Sequence, residues 1–173
     1  MDVSVAAVSQ AVKQFAQDAS FIAKQWDLLS RVPGGKRLFS RALGLFVPYT
    51  GSIGAVVEEV RKGYARVSLK DRRAVRNHLS SVHAVALANL VEMTGNLALL
   101  YSCPKNTRMI LAGLGVEYLK KARGPLVAEC HSPVPETNER NEYTLEVLIK
   151  DRKGDVVAKG QLRSLLGPIQ AQA

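Results

Sequence analysis

The sequence has 173 residues, of which 47% are hydrophobic and 23% are charged, the composition and length of a globular domain with an extension. Its formal net charge is +9. The basic residues are spread over both halves, are not interleaved with aromatics and form no recognised nucleic-acid-binding motif, so we expect no nucleic-acid partner. Simple solubility, an anionic ligand such as a phosphorylated cofactor and an acidic membrane surface all remain compatible with the charge.

The cysteines and the apolar segments bear on location. Cys103 and Cys130 have no metal-ligand or disulfide spacing, so we expect a reducing compartment and no metal site. The N-terminus lacks a secretory signal pattern. The richest apolar stretch, residues 82–101, is interrupted by four polar side chains, which argues against a membrane span. These features together predict a cytoplasmic protein.

Two helices are predicted at the N-terminus. Residues 3–30 are predicted to form one amphipathic helix. Its apolar stripe packs either on the helix's own domain or on the same helix of a partner subunit, and it consists of Val5, Val8, Val12, Phe15, Ala19, Ile22, Trp26 and Leu29. A break at residues 33–35 precedes a short helix from Lys36 to about Leu45. Because its side chains include basic residues, peripheral contact of this helix with an anionic membrane is a further interpretation.

A turn at Pro48–Gly51 separates residues 1–47, the helical extension, from residues 48–173, the main domain. In the main domain, residues 54–60 and 64–69 form a predicted hairpin, a long apolar helix runs from Val82 to about Ser102, and four further strands follow at residues 109–119, 126–131, 143–150 and 156–165. Short connections make these strands antiparallel. The sequence therefore predicts an α+β fold in which one antiparallel sheet curls around the helix.

The central helix carries a polar stripe of Asn89, Glu92 and Asn96. A carboxylate on a buried helix is costly unless it is paired or has a function. His83 lies on the opposite side of the helix from Glu92, so the two act on one bond only if two chains combine.

The start of this helix is a candidate anion site. Ser80 or Ser81 is the expected N-cap. The N–H groups of residues 82–85 then lack helical partners and are available to an anion or to a developing oxyanion.

One motif links these residues to a known family. Asn77 is followed six positions later by His83-Ala84, and Glu92 follows nine positions after the histidine. Tyr118-Leu119-Lys120-Lys121-Ala122 forms an aromatic, aliphatic, basic and small segment after the next strand. In these motifs and in its strand order, the chain resembles the hotdog-fold acyl-CoA thioesterases, particularly the phenylacetate-degradation type and uncharacterised relatives.

The resemblance implies a homodimer, or a dimer of dimers, whose sheets join edge to edge. The Ala84 N–H of one subunit would polarise the thioester carbonyl of a fatty or aromatic acyl-CoA, and Asn77 and His83 would complete that half of the site. Glu92 of the other subunit would act as general base or nucleophile. No cofactor is implied beyond the coenzyme A moiety of the substrate.

Five further side chains are substrate-binding candidates. Asn89 and Asn96 lie beside Glu92 on the polar stripe. Lys120, Lys121 and Arg123 either meet the phosphates of coenzyme A or form a solvated turn.

Departures from the family pattern keep two other functions open. The family's glycines are replaced by Ser80, Ala84 and Val85, its aspartate by Glu92, and Leu111 stands where a serine or threonine often holds the water. A non-catalytic acyl-CoA-binding, lipid-binding or scaffold protein is one alternative. A hotdog dehydratase or hydratase is the other, although its His-Phe-Pro segment is missing. Structural roles for Asn77, His83 and Glu92 in turn, cap and core also remain open.

Overall fold

The computed structural model describes residues 19–169. The helices are α1 (Ala19–Leu29), α2 (Gly35–Phe46), α3 (Pro48–Gly51) and α4 (Ala84–Ser102). The strands are β1 (Val56–Arg61), β2 (Tyr64–Leu69), β3 (Thr107–Tyr118), β4 (Leu126–His131), β5 (Asn141–Lys150) and β6 (Val156–Pro168). Residues 3–18 of the predicted first helix lie outside the described residues.

All six strands form one antiparallel sheet in the order β1-β2-β4-β5-β6-β3. The sheet packs around α4, which contacts each of its strands. Apolar residues alternate along the strands and place one face of the sheet against α4. On β5, Leu145, Val147 and Ile149 are fully buried, whereas the residues between them are more exposed. The predicted α+β hotdog fold is therefore confirmed.

Glycines let the sheet approach α4 closely. A Cβ atom on Gly160 of β6 would collide with the side chain of Val91 on α4. A Cβ atom on Gly95 of α4 would lie 2.8 Å from Cδ1 of Leu162 on β6. The helix and β6 therefore interlock through one glycine on each side.

By length and hydropathy alone, α4 qualifies as a membrane span, but 61% of its most apolar stretch is buried inside the fold. Leu90, Val91 and Leu99 have no exposed surface. A core helix meets this criterion equally well, because burial inside a domain selects the same apolar residues as a bilayer does.

The described N-terminal helices pack on the same core. Ile22 and Trp26 of α1 and Phe39 of α2 are each less than 6% exposed. The Trp26 indole N–H donates to the Val60 carbonyl at 2.9 Å. The described part of the first predicted helix therefore docks on its own domain, which is one of the two expected arrangements.

The N-terminal helices also bind the backbone of β1, where the Val57 N–H donates to the Ser40 hydroxyl of α2 at 2.9 Å. The predicted turn at Pro48–Gly51 is one turn of helix. The division into residues 1–47 and 48–173 stays a prediction.

Both cysteines are free. Burial raises the pKa of the Cys103 thiol to about 12, and burial with the nearby Glu146 charge does the same for Cys130. Neither thiol is therefore a reactive nucleophile at neutral pH. The cytoplasmic location stays a prediction.

Candidate active site

Asn77 organises the turn that leads into α4. Its side-chain oxygen accepts the Leu79 N–H at 2.9 Å, the Ser81 N–H at 3.2 Å and the Ser81 hydroxyl at 3.1 Å. Ser80, within this turn, has a φ of 53°, an uncommon value for a residue other than glycine. The Asn77 oxygen therefore has a structural role, while its amide N–H₂ has no acceptor among the described residues.

His83 is the N-cap of α4. Its Nδ1 atom accepts the Val85 N–H at 3.1 Å, with Nδ1 assigned as the unprotonated nitrogen by this contact. The expectation that Ser80 or Ser81 caps the helix was wrong: the Ser81 hydroxyl is bound to Asn77, and the helix begins later, at Ala84. His83 can act as N-cap because its ring nitrogen accepts the Val85 N–H, as a serine hydroxyl oxygen does at a common N-cap.

The first N–H groups of α4 are less open than the sequence predicted. The Val82 N–H donates to the Ala122 carbonyl and the His83 N–H to the Val75 carbonyl, each at 2.8 Å. With the Val85 N–H bound to His83, only Ala84 of residues 82–85 keeps an N–H without an acceptor among the described residues. This N–H lies at the positive end of the helix dipole, where it can bind an anion or a developing oxyanion.

Two cavities flank the start of α4. One, of about 340 Å³, is lined in part by Asn77, Ala84, Lys120 and Lys121. We call it the Asn77 cavity. Four predicted site residues, from two separate segments of the chain, therefore meet at one place.

The other cavity, of about 240 Å³, is lined in part by His83, Val85 and Asn89. Val85, which replaces a glycine of the family pattern, lines this second cavity and not the Asn77 cavity.

Glu92 lines neither of these two cavities. Nine residues of helix place it about 13 Å along the axis from His83 and about half a turn around it. Its half-buried carboxyl makes no hydrogen bond or ion pair with a described residue, and burial raises its pKa. A carboxylate without a partner in a partly dry site is costly to the fold and is typical of functional acids.

Neither of the two asparagines beside Glu92 forms a hydrogen bond with its carboxylate. The Asn89 amide N–H₂ donates to the Tyr49 carbonyl at 3.0 Å. The side-chain oxygens of Asn89 and Asn96 are buried without a hydrogen-bond partner in the described part of the chain. Two unsatisfied acceptors on one helix stripe require donors from a ligand, water or another subunit.

The three basic candidates differ in availability. The Lys120 ammonium contacts Asp155 at 2.7 Å and Asp151 at 3.0 Å, and these hydrogen bonds raise its pKa. The Arg123 guanidinium donates to the Leu79 carbonyl at 3.3 Å. Lys121 is exposed and has no hydrogen bond or ion pair with a described residue, so of the three candidates its charge is the most available to a phosphate.

Two further polar residues, neither of them a predicted site residue, have side-chain environments that only the structure reveals. The Tyr118 hydroxyl donates to the Ala84 carbonyl at 3.1 Å and lines the Asn77 cavity. Ser164 on β6 pairs with Leu111 on β3, and its buried hydroxyl has no partner in the described region. The sheet register alone places this hydroxyl beside Leu111, which the sequence could not indicate.

Comparison with known proteins identifies similar folds. Residues 35–166 match the sequence profile of a family described as a domain of unknown function (DUF4442). A comparison with curated proteins gave no match. A crystal structure described only as a genomics target, with no function in its description, is 28% identical, with a TM-score of 0.73 over 86% of this chain and 99% of that one.

Two further solved structures carry the name thioesterase. A Pseudomonas aeruginosa protein described as of unknown function and a probable thioesterase is 23% identical, with a TM-score of 0.66 over 79% of this chain and 97% of its own. A Staphylococcus aureus thioesterase mutant is 12% identical, with a TM-score of 0.62 over 70% of this chain and 99% of its own. At these identities the likeness shows the shared fold.

Proposed function

We propose, because this chain belongs to the family described as a domain of unknown function (DUF4442) and has the fold of proteins named thioesterases, that it hydrolyses the thioester bond of a fatty or aromatic acyl-CoA. The observation that carries the proposal is the placement of Glu92. It is a half-buried carboxyl of raised pKa without a partner in its own described chain, on the helix whose start offers the free Ala84 N–H.

One half of the proposed site is the Asn77 cavity. The thioester carbonyl binds the Ala84 N–H, and the free Asn77 amide donates a second hydrogen bond. Lys121, at the rim, attracts the phosphates of coenzyme A. An oxyanion donor of this kind contributes about 3 to 4 kcal/mol to transition-state stabilisation.

The other half comes from a second subunit. Ionised Glu92 of that subunit takes a proton from water, and the water oxygen bonds to the carbonyl carbon. The carbon–sulfur bond then breaks, and the coenzyme A thiolate takes the proton back from Glu92. A positioned general base contributes about 10² to 10⁴ in rate.

The two sheet edges differ in a way that favours dimerisation through β3. On β1, the N-terminal helices already bind the Val57 N–H and the Val60 carbonyl. Strand β3 pairs only with β6 in the described sheet and exposes apolar side chains, including Ile110 at 55% and Leu114 at 39%. A long apolar edge strand of this kind is a template for pairing with another chain.

A non-catalytic acyl-CoA-binding protein is the second candidate. The Asn77 oxygen is fully used in its turn, and Lys120 is held by two carboxylates, so part of the family motif has a structural role here. In this case the protein binds acyl-CoA but does not hydrolyse it.

The first test measures hydrolysis of short, long and aromatic acyl-CoAs by the wild-type protein, Glu92→Gln and a control, Glu139→Gln. Glu139 is an exposed carboxylate in the loop between β4 and β5. We expect Glu92→Gln to lower kcat by about 10² to 10⁴, with the dimer intact by light scattering, and the control to match wild type. A wild-type protein that binds but never hydrolyses these substrates would favour the second candidate.

A complementation test addresses the shared site. Glu92→Gln and Asn77→Asp are each expected to have low activity as homodimers. After subunit exchange, each mixed dimer has one intact site, so an equimolar mixture should recover about a quarter of the wild-type activity. No recovery, despite mixed dimers seen by native mass spectrometry, would show that each subunit supplies both residues itself.

A further inference from the structure

Large apolar side chains are exposed on the N-terminal helices, away from the Asn77 cavity. Leu38 and Leu45 of α2 are 56% and 80% exposed. They lie seven residues apart and therefore on the same side of the helix. Leu28, Val32 and Tyr49 nearby in the chain are 67%, 50% and 68% exposed.

The opposite face of α2 fixes this orientation. Phe39 and Leu43 are buried in the core, and the Ser40 hydroxyl binds the backbone of β1. Leu38 and Leu45 therefore cannot turn inward without taking Phe39 and Leu43 out of the core, where their burial stabilises the fold.

Basic residues accompany the exposed leucines. Arg31, Lys36, Arg37 and Arg41 are all exposed, and residues 30–46 contain no acidic residue. None of the four forms an ion pair within residues 19–169. The helix thus combines apolar and cationic side chains on its solvent side.

An apolar groove adjoins this surface. It lies between α1 and α2, has a volume of about 100 Å³, and its lining includes Leu29, Ala42 and Phe46. Ala42 is four residues after Leu38 and three before Leu45, so the groove continues the leucine face.

We propose that the α2 face defined by Arg37, Leu38, Arg41 and Leu45 docks on an anionic lipid bilayer. Leu38 and Leu45 insert at the level of the acyl chains, and Arg37 and Arg41 bind lipid phosphates. Mixed apolar and basic side chains on one exposed helix face are the pattern of interfacial helices. The centres of protein interfaces, in contrast, are depleted of charged residues. The inference is independent of thioester hydrolysis.

Vesicle co-sedimentation of the full chain tests this inference. We expect binding to phosphatidylcholine vesicles that contain phosphatidylglycerol and much weaker binding to pure phosphatidylcholine. The variant R37Q/R41Q should lose on the order of 25-fold in partition coefficient, and L38S/L45S about tenfold or more. Thermal unfolding confirms that each variant is folded.

A charge-matched control separates the α2 face from the general positive charge. Arg152 and Lys153 are exposed on the turn between β5 and β6, and R152Q/K153Q removes the same charge. We expect this variant to bind vesicles as wild type does.

Several results would overturn the proposal: no binding of wild type to anionic vesicles, equal binding to neutral ones, or an equal loss in R152Q/K153Q. A change of oligomeric state in L38S/L45S without vesicles would instead assign the face to a second copy of the chain.

Discussion

The imidazole of His83 closes the first turn of α4 by accepting the Val85 N–H at 3.1 Å. His83 and Asn77 line different cavities beside this helix start. The histidine of the family-like motif therefore holds the helix start that presents the Ala84 N–H.

This contact predicts the effect of substitutions at His83. His83→Ala should lower the free energy of unfolding by about 1 kcal/mol, because the Val85 N–H loses its acceptor. His83→Asp should retain most of that stability, since aspartate is a strong N-cap. Urea unfolding of the two variants and wild type measures the difference. Equal losses in both variants would instead assign the effect of His83 to packing of its ring.

Local patterns in the sequence were sufficient for most of the fold. The alternation of Ala65, Val67 and Leu69 with polar residues defined β2, and Gly63, with a φ of 72°, forms the turn before it. The boundaries of β4, Leu126–His131, were predicted without error. These signals depend only on neighbouring residues.

Contacts between distant residues could not be predicted in this way. Nothing in the sequence pairs Gly160 with Val91, or Lys120 with Asp155, because these contacts follow from the sheet register and the docking of α4. The N-cap was missed for a related reason: histidine is an uncommon cap, and the two serines before it match the usual preference. The spacing of Asn77, Ala84 and Glu92 could be read from the sequence, but the hydrogen bonds and burial of these residues could not.

Because Lys120 is paired with two aspartates and Lys121 is not, we expect substitutions at the two lysines to have different effects on substrate binding and on stability. If acyl-CoA binds in the Asn77 cavity, Lys121→Ala should raise KM by about fivefold with little change in kcat, because a free charge near the phosphates is lost. Lys120→Ala should leave KM nearly unchanged and lower the melting temperature, since Asp151 and Asp155 lose their shared cation. Steady-state kinetics and thermal unfolding test both. The reverse ranking of KM would place Lys120 at the substrate.

The raised pKa of Glu92 predicts a pH-dependent stability. A folded-state pKa above the ordinary 4.5 means that the folded protein holds the proton more tightly than the unfolded chain does. Stability is therefore lost as the pH rises from about 4.5 through the raised pKa. Glu92→Gln, which stays neutral, should be more stable than wild type at pH 7, with the difference vanishing near pH 4.

Denaturant unfolding of both proteins across this pH range measures the effect. Glu139→Gln, which also removes one carboxylate, is measured alongside as the control. A Glu92→Gln protein less stable than wild type at pH 7 would mean that the carboxylate has a stabilising partner, such as a group of the second subunit.

The two ends of the Asn77 side chain have separable roles. Its oxygen accepts three hydrogen bonds within the turn, and its amide N–H₂ has no acceptor among residues 19–169. Asn77→Asp keeps the acceptor and loses the donor, so it should retain the stability of wild type and lower kcat/KM by about 10²-fold. Asn77→Ala loses both and should also be destabilised by about 1 to 3 kcal/mol.

Kinetics on the best acyl-CoA from the panel, combined with urea unfolding, tests this separation. Ser81→Ala is the matched control, because it removes only the hydroxyl that binds the Asn77 oxygen. Ser81→Ala should lower the free energy of unfolding with little effect on kcat/KM. Full activity in Asn77→Asp would limit Asn77 to holding the turn, and the Ala84 N–H would then be the main donor to the thioester carbonyl.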